Sequence, residues 1–176
     1  MGRTMSSNST KRARTVAILF GRGGRYGSQS LPKKNLVPLL GRPVMVYPLL
    51  ATRYSQSIDR LYVSTDDDEI ASIALGFGAE LIKRPDYLAT KEALMESAID
   101  HAHREVKNRL TYAPEYVVIL MCNAPNILAK TIDEGVHILD THSQYDSVIT
   151  VSKLNMFGPL RARKRSEEGN HRCRTK

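Results

Sequence analysis

The sequence predicts an α/β protein with a doubly wound, mostly parallel sheet, and three observations carry that prediction. Short apolar and β-branched runs alternate with segments of helical periodicity. The strand-like runs end in Gly or Asp punctuation, as buried strands do where they feed loops. Helices of roughly ten residues between successive strands specify βαβ units with right-handed crossovers, and therefore a parallel sheet in a three-layer arrangement.

Thr15 to Phe20 is the first strand, a β-branched and apolar run that stops at Gly21-Arg22-Gly23-Gly24. Leu61 to Ser64 is the second. Thr65-Asp66-Asp67-Asp68-Glu69 follows it, and an Asp or Thr cap with acids in the first turn complements the positive end of a helix. Ile70, Ile73, Ala74 and Phe77 recur at i, i+3, i+4 and i+7, which gives that helix one apolar face. Gly76 and Gly78 close it, and Glu80 to Lys83 makes the third strand. A helix is expected from Glu92 to Asn108, where Leu94, Ala98, Ala102 and Val106 recur every four residues. Tyr116 to Met121 is the most strand-like run in the chain. Thr131-Ile132-Asp133-Glu134 has capping-box spacing and opens a helix with Ile132, Val136 and Leu139 on one face. Ser147 to Val151 is expected as the last strand. The phrase Asn155 to Leu160 then begins a segment that no further strand completes, so the sheet reads as C-terminally truncated.

The 176 residues carry a net charge of +8, but the excess lies at the ends. Residues 1–15 hold four basic residues and no acid, and residues 161–176 hold seven basic residues against two acids. Between them, residues 16–160 balance 15 basic against 16 acidic residues, so the globular part is nearly neutral. This distribution divides the chain into a basic, disordered tail over 1–14, one folded domain over 15–160 and a second basic, disordered tail over 161–176. Clustered Lys and Arg attract polyanions without specificity, and solvated ends, rather than a nucleic-acid-binding device, are the reading adopted. No apolar run approaches the roughly 20 residues of a membrane-spanning helix. Cys122 and Cys173 are too few for a disulfide framework or a cysteine-based zinc site, and a cytoplasmic location is expected. His101, His103 and His137 lack metal-ligand spacing and are assigned no catalytic role.

In a doubly wound sheet, ligands bind beyond the carboxyl ends of the strands. Gly21-Arg22-Gly23-Gly24 occupies that position after the first strand, where glycines let backbone N–H groups approach phosphates closely. The loop is neither a Walker A motif, since no Gly-Lys-Ser/Thr follows, nor a dinucleotide fingerprint, since the third glycine is absent. Leu31-Pro32-Lys33-Lys34-Asn35-Leu36 and Pro38-Leu39-Leu40-Gly41-Arg42-Pro43 follow, and the resulting density of lysines and arginines suits a triphosphate.

These blocks together resemble a family. Gly-Gly, then Leu-Pro-x-Lys-Asn-Leu, then Leu-x-Gly-x-Pro entering a helix is similar to the opening signature of sugar-activating nucleotidyltransferases, most closely the acylneuraminate cytidylyltransferases that make CMP-activated acidic sugars. Tyr62-Val63-Ser64-Thr65-Asp66-Asp67, Gly78-Ala79-Glu80, Lys83-Arg84-Pro85 and Leu88-Ala89-Thr90 resemble the family's later blocks, in order, over roughly Val16 to Val151.

The resemblance implies a nucleotide-diphospho-sugar transferase-like, Rossmann-like fold and transfer of CMP from CTP to an N-acylneuraminate or a close relative, with release of pyrophosphate. It implies that Arg22 and Lys34 contact the triphosphate and act catalytically, that Gly21, Gly23, Gly24 and Asn35 form the nucleotide loop, and that Arg84 lies near the nucleotide. Asn123, Ala124 and Pro125 fall where the family meets its sugar, in a sequence altered from the usual Gln-Pro-Thr-Ser-Pro. Mg²⁺ is the implied cofactor, bridging phosphates with few protein ligands, and its ligands here are not assigned. The loop Arg25 to Ser30 is longer than the family's by three residues. In the acylneuraminate enzymes the metal-binding acids lie further C-terminal than residue 176, and family members commonly form homodimers through a segment beyond the last strand read here, Ser147 to Val151. Two alternatives stand beside this reading: a C-terminally truncated, inactive nucleotide-binding homologue, and a 3-deoxy-manno-octulosonate cytidylyltransferase-like enzyme.

Overall fold

A computed structural model describes residues 14–23 and 31–151, together with the backbone of 163–165 and 171–173. The expected N-terminal tail up to residue 13, Gly24 with the long loop Arg25 to Ser30, the phrase Asn155 to Leu160, most of the expected C-terminal tail and the Cys173 side chain lie outside the described residues. In chain order the elements are β1 (Thr15–Phe20), β2 (Pro38–Leu39), β3 (Arg42–Pro43), α1 (Val46–Tyr54), β4 (Arg60–Thr65), α2 (Asp68–Gly76), β5 (Glu80–Lys83), α3 (Met95–Arg109), β6 (Tyr116–Met121), α4 (Ala129–Thr141), β7 (Arg163–Arg165) and β8 (His171–Cys173). Short 3-10 turns cover Lys34–Leu36 and Asp86–Leu88.

Four strands form one parallel sheet in the order β5-β4-β1-β6. β1 is central and buried at every residue, which is why its sequence is a continuous apolar and β-branched run rather than an alternating one. Alternate side chains supply two cores. Ala17 and Leu19 face Met45, Leu49, Ile70 and Ile132 beneath α1, α2 and α4. Val16, Ile18 and Phe20 face the other way, onto Ala98, Ala102 and Val106 of α3. The sheet is therefore covered on both faces, and the α/β, doubly wound class read from the sequence is the one observed.

Local chemistry explains most boundaries. Asp67 caps α2, its Oδ1 accepting from the N–H groups of Glu69 at 2.9 Å and Ile70 at 3.0 Å, an arrangement that contributes about 1 kcal/mol. Pro48 is tolerated in the first turn of α1, where its missing N–H has no helical partner to lose. β2 and β3 form a hairpin closed by Leu40 and Gly41, both at positive φ (49° and 80°), the pairing of dihedrals that a two-residue turn between twisted strands requires.

Three expectations differ from the structure. α3 begins at Met95 rather than Glu92, because the Thr90 hydroxyl accepts from the N–H of Ala93 at 3.2 Å and holds 90–93 in a turn. α4 begins at Ala129, so Thr131 lies inside it and caps nothing; Leu128 is the N-cap and makes no side-chain bond there. Ser147 to Val151 forms no strand. It runs exposed, with Ile149 at 77% and Val151 at 89%, and joins no ladder among the described residues. β7 and β8 pair antiparallel as a separate ribbon.

Candidate functional site

The chain crosses from β1 outward to β4 and β5, then returns to place β6 on the other side of β1. The crevice beyond the carboxyl ends of β1 and β6 is thus the switch point of the sheet, where loops diverge and leave space. A cleft of about 430 Å³ opens there. It is lined by Phe20, Arg22 and Gly23 at the end of β1, Lys33, Lys34 and Asn35 at the start of the first 3-10 turn, and Arg84 after β5; Leu88, Ala93, Leu94, Met95 and Ala98 and then Met121 and Asn123 complete it.

Close packing holds the first loop in place. The N–H of Gly21 donates to the Ser64 carbonyl at 3.2 Å, and the N–H of Gly23 donates to Asp66 Oδ1 at 2.9 Å. A Cβ on Gly23 would fall 2.6 Å from Asp67 Cβ and 2.8 Å from its Oδ2, so only glycine fits against the α2 cap. The same holds at Gly21, whose Cβ would sit 2.6 Å from Cys122 Sγ.

The lysine turn is anchored at two points. Asn35 Nδ2 donates to the Arg22 carbonyl at 3.1 Å, and the Asn35 carbonyl accepts from the N–H of Met45 at 3.1 Å, immediately before α1. Asn35 therefore fixes Lys34 relative to the glycine loop, and Lys34 projects from an exposed position on the cleft wall. Arg84 is the opposite case. It is 4% exposed, donating from Nη2 to the Ser64 carbonyl at 2.8 Å and from Nε to Ser64 Oγ at 3.4 Å, with its guanidinium 5.9 Å from the Phe20 ring centre. Burial pulls its pKa below the ordinary guanidinium value and the nearby Arg22 adds to the effect, while Asp66 opposes it. A buried cation in that position gains from an incoming anion.

Four cations line the cleft, and no carboxylate or histidine does so among the described residues. No cluster of three or more His, Cys, Asp or Glu is present among the described residues either. Cys122 lies directly behind Gly21, and burial pushes its thiol up to about 12, so it is a packing residue rather than a nucleophile.

Of the residues expected from the sequence, Arg22, Gly23, Lys34, Asn35, Arg84 and Asn123 come together on this cleft. Gly21 stands behind it, Ala124 and Pro125 fall outside its lining, and Gly24 lies outside the described residues. Sequence reasoning missed Thr90 as the partner of Arg22, since a backbone carbonyl leaves no mark in the sequence. It also missed the apolar wall of Leu88, Leu94 and Met95, the last two of which read from periodicity as helix core.

A family described as cytidylyltransferase matches residues 24–160. The N-acylneuraminate cytidylyltransferase of Escherichia coli is 28% identical over 144 residues, covering 82% of this chain and 32% of its own length. The pseudaminic acid cytidylyltransferase of Campylobacter jejuni is 31% identical over 109 residues, covering 61% of this chain and 46% of its own. Among solved structures, a CMP:2-keto-3-deoxy-manno-octonic acid synthetase complexed with CTP superposes with a TM-score of 0.57 at 22% identity, covering 73% of this chain and 48% of that one. The chain spans between a third and a half of the length of these proteins. With the matched segment running from the lysine turn through β4, β5, α3 and β6 to α4, this chain belongs to the cytidylyltransferase family.

Proposed function

We propose that this chain binds CTP in the switch-point cleft and transfers CMP to an acidic sugar, N-acylneuraminate or a close relative, releasing pyrophosphate. The observation that carries the reading is the cleft itself: four cations and no carboxylate among the described lining residues, at the carboxyl ends of β1, β5 and β6, in a member of the cytidylyltransferase family. Residues 15–160 are taken as the working unit, in the cytoplasm, where Cys122 stays a free thiol.

In this reading the anomeric hydroxyl attacks the α-phosphorus, the new O–P bond forms as the bond to the β-phosphate breaks, and pyrophosphate leaves. Arg22 and Lys34 neutralise the charge that gathers on the leaving oxygens, which is the main electrostatic contribution a protein makes to phosphoryl transfer. Arg84 supports the nucleotide from the buried side of the cleft, and Gly23 presents backbone at close range. The hydroxyl proton passes to solvent. Asn123, at the end of β6, faces the sugar.

The donor set fits a metal carried in by the phosphates rather than a resident ion. Mg²⁺ takes few protein ligands in such sites, and Asn35 and Asn123 carry the neutral side-chain amide oxygens of the cleft wall that would hold it. When bound, Mg²⁺ supplies additional neutralisation of phosphate charge.

An octulosonate is the second reading for the sugar, the alternative that the sequence resemblance left open. Thermal shift of the purified chain with Mg²⁺ and CTP, UTP, ATP or GTP tests the nucleotide assignment. A ligand at about 100 times its Kd stabilises by roughly 2.7 kcal/mol, or on the order of 5 °C for a chain of this size. A shift with CTP alone, lost in Lys34→Ala, together with pyrophosphate release on adding N-acetylneuraminate, supports the proposal. CTP binding without turnover on either sugar reduces the role to nucleotide binding, and no shift with any nucleotide overturns it.

A further inference from the structure

Lys33 is the one cleft cation with no role in the account above. It sits in the left-handed region, at φ 49° and ψ 34°, where L-residues other than Gly, Asn and Asp are seldom found. Its carbonyl accepts from the N–H of Leu36 at 2.7 Å, closing the 3-10 turn, so the backbone is committed to this conformation. Lys33 lines the cleft, and its ammonium is paired with Glu69 Oε2 at 2.7 Å, in the first turn of α2. Both side chains are more than half exposed, at 62% and 54%, and such pairs are held only weakly.

The geometry points to Lys33 as a further phosphate-contacting residue, parked on Glu69 while the cleft is empty and transferred to the polyphosphate when nucleotide enters. This rests on the proposed CTP reading and deepens it. Three features support the transfer. The flexible four-carbon stem lets the ammonium swing while the turn stays fixed. A polyphosphate presents several charges where Glu69 presents one, and ammonium–phosphate hydrogen bonds are the stronger kind. The partner being left, Glu69, remains solvated and next to the N-terminus of α2, which favours a free carboxylate. Contact with the β- and γ-phosphates would make Lys33 a discriminator of triphosphate from monophosphate.

The test is Lys33→Gly, because glycine suits a positive φ and removes the ammonium without straining the turn. Kd values for CTP and CMP are measured by calorimetry on wild type, Lys33→Gly and Glu69→Gln, with melting temperatures as a check on folding. Lys33→Gly is expected to weaken CTP by about tenfold while leaving CMP within about twofold, and Glu69→Gln, which removes the competitor, is expected to tighten CTP. CTP binding by Lys33→Gly at the wild-type level, or equal losses of CTP and CMP, overturns the inference and leaves the CTP reading standing. Weakening of CTP by Glu69→Gln matching that of Lys33→Gly also overturns it, since the pair would then act only as a structural clip. Failure of wild type to bind CTP overturns both.

Discussion

Arg22 donates from Nη1 to the carbonyl oxygen of Thr90 at 2.6 Å, joining the end of β1 to the segment between β5 and α3 across 68 residues of sequence. The bond closes one side of the cleft. A guanidinium has five donors in a planar fork and can hold a carbonyl and a phosphate together.

An ammonium in its place is a point charge that cannot serve both partners. Arg22→Lys is expected to weaken CTP binding by about tenfold or more, with little change in the urea midpoint. Calorimetric titration with CTP measures the first, and a denaturation curve the second. Unchanged affinity would remove Arg22 from the nucleotide assignment.

Gly21 and Cys122 should be coupled. A Cβ at Gly21 would meet Cys122 Sγ at 2.6 Å and Ile70 Cγ2 at 3.3 Å. Gly21→Ala is expected to destabilise by about 1–3 kcal/mol, as overpacking does. Adding Cys122→Ala removes the sulfur that obstructs the new methyl group, so the double variant should be more stable than the sum of the single effects predicts, by about 1 kcal/mol. Strict additivity in urea melts would show that Ile70 or the backbone sets the cost instead.

Cys122 also makes stability depend on pH. Burial raises its thiol from 9.0 to about 12, so between those values the folded chain keeps a proton that the unfolded chain has lost. The unfolded state binds fewer protons there, and stability falls as pH rises through that window. Cys122→Ala should flatten this part of the profile relative to wild type. Parallel slopes for the two proteins between pH 9 and 12 would contradict the assignment.

Asp133 of α4 clamps the connection from α1 to β4. Its Oδ1 accepts from the Ser55 hydroxyl at 2.6 Å and from the N–H groups of Gln56 and Ser57, each at 3.0 Å. Partial burial pushes its pKa up, but the bonds from Ser55, Ser57 and Gln56 outweigh that and hold it below the ordinary carboxylate value. With the folded pKa depressed, its contribution is complete above the unfolded value and is lost as pH falls through the folded one. Asp133→Ala is expected to cost about 1–2 kcal/mol near neutral pH and less in acid, where wild type has lost the same contribution. Equal losses at pH 7 and pH 2.5 in denaturation experiments would refute this.

The sequence made β1 legible because burial on both faces of a parallel sheet leaves no room for polar residues, whereas β6 is an apolar run at the sheet edge and is only partly buried. The sequence made α2 legible through Asp67, whose capping is local chemistry. The start of α4 was misread because Thr131 has the right residue type and spacing for a cap, while the contact that anchors the helix is Ile132 in the core. Ser147 to Val151 was misread because β-branched residues state only a propensity, and pairing is decided by whether a neighbouring strand is within reach. In the cleft, Arg22, Lys34 and Arg84 were readable as charges in a motif, whereas the Lys33–Glu69 pair joins residues far apart in sequence and could not be read from either segment.

The strand order has a kinetic reading as well. Val16 in the central strand is matched with Arg60 on one side and Val117 on the other, so the second partner arrives about a hundred residues after the first strand has emerged. Contacts that span such lengths carry loop-closure entropy before they return any stability, and they place this chain among slower-folding topologies. Until β6 docks, Gly21 has no Cys122 behind it and one wall of the cleft does not exist. Ligand binding should therefore appear in refolding no earlier than the last strand to join, as a signal for completion of the whole sheet rather than of the loop that carries Arg22.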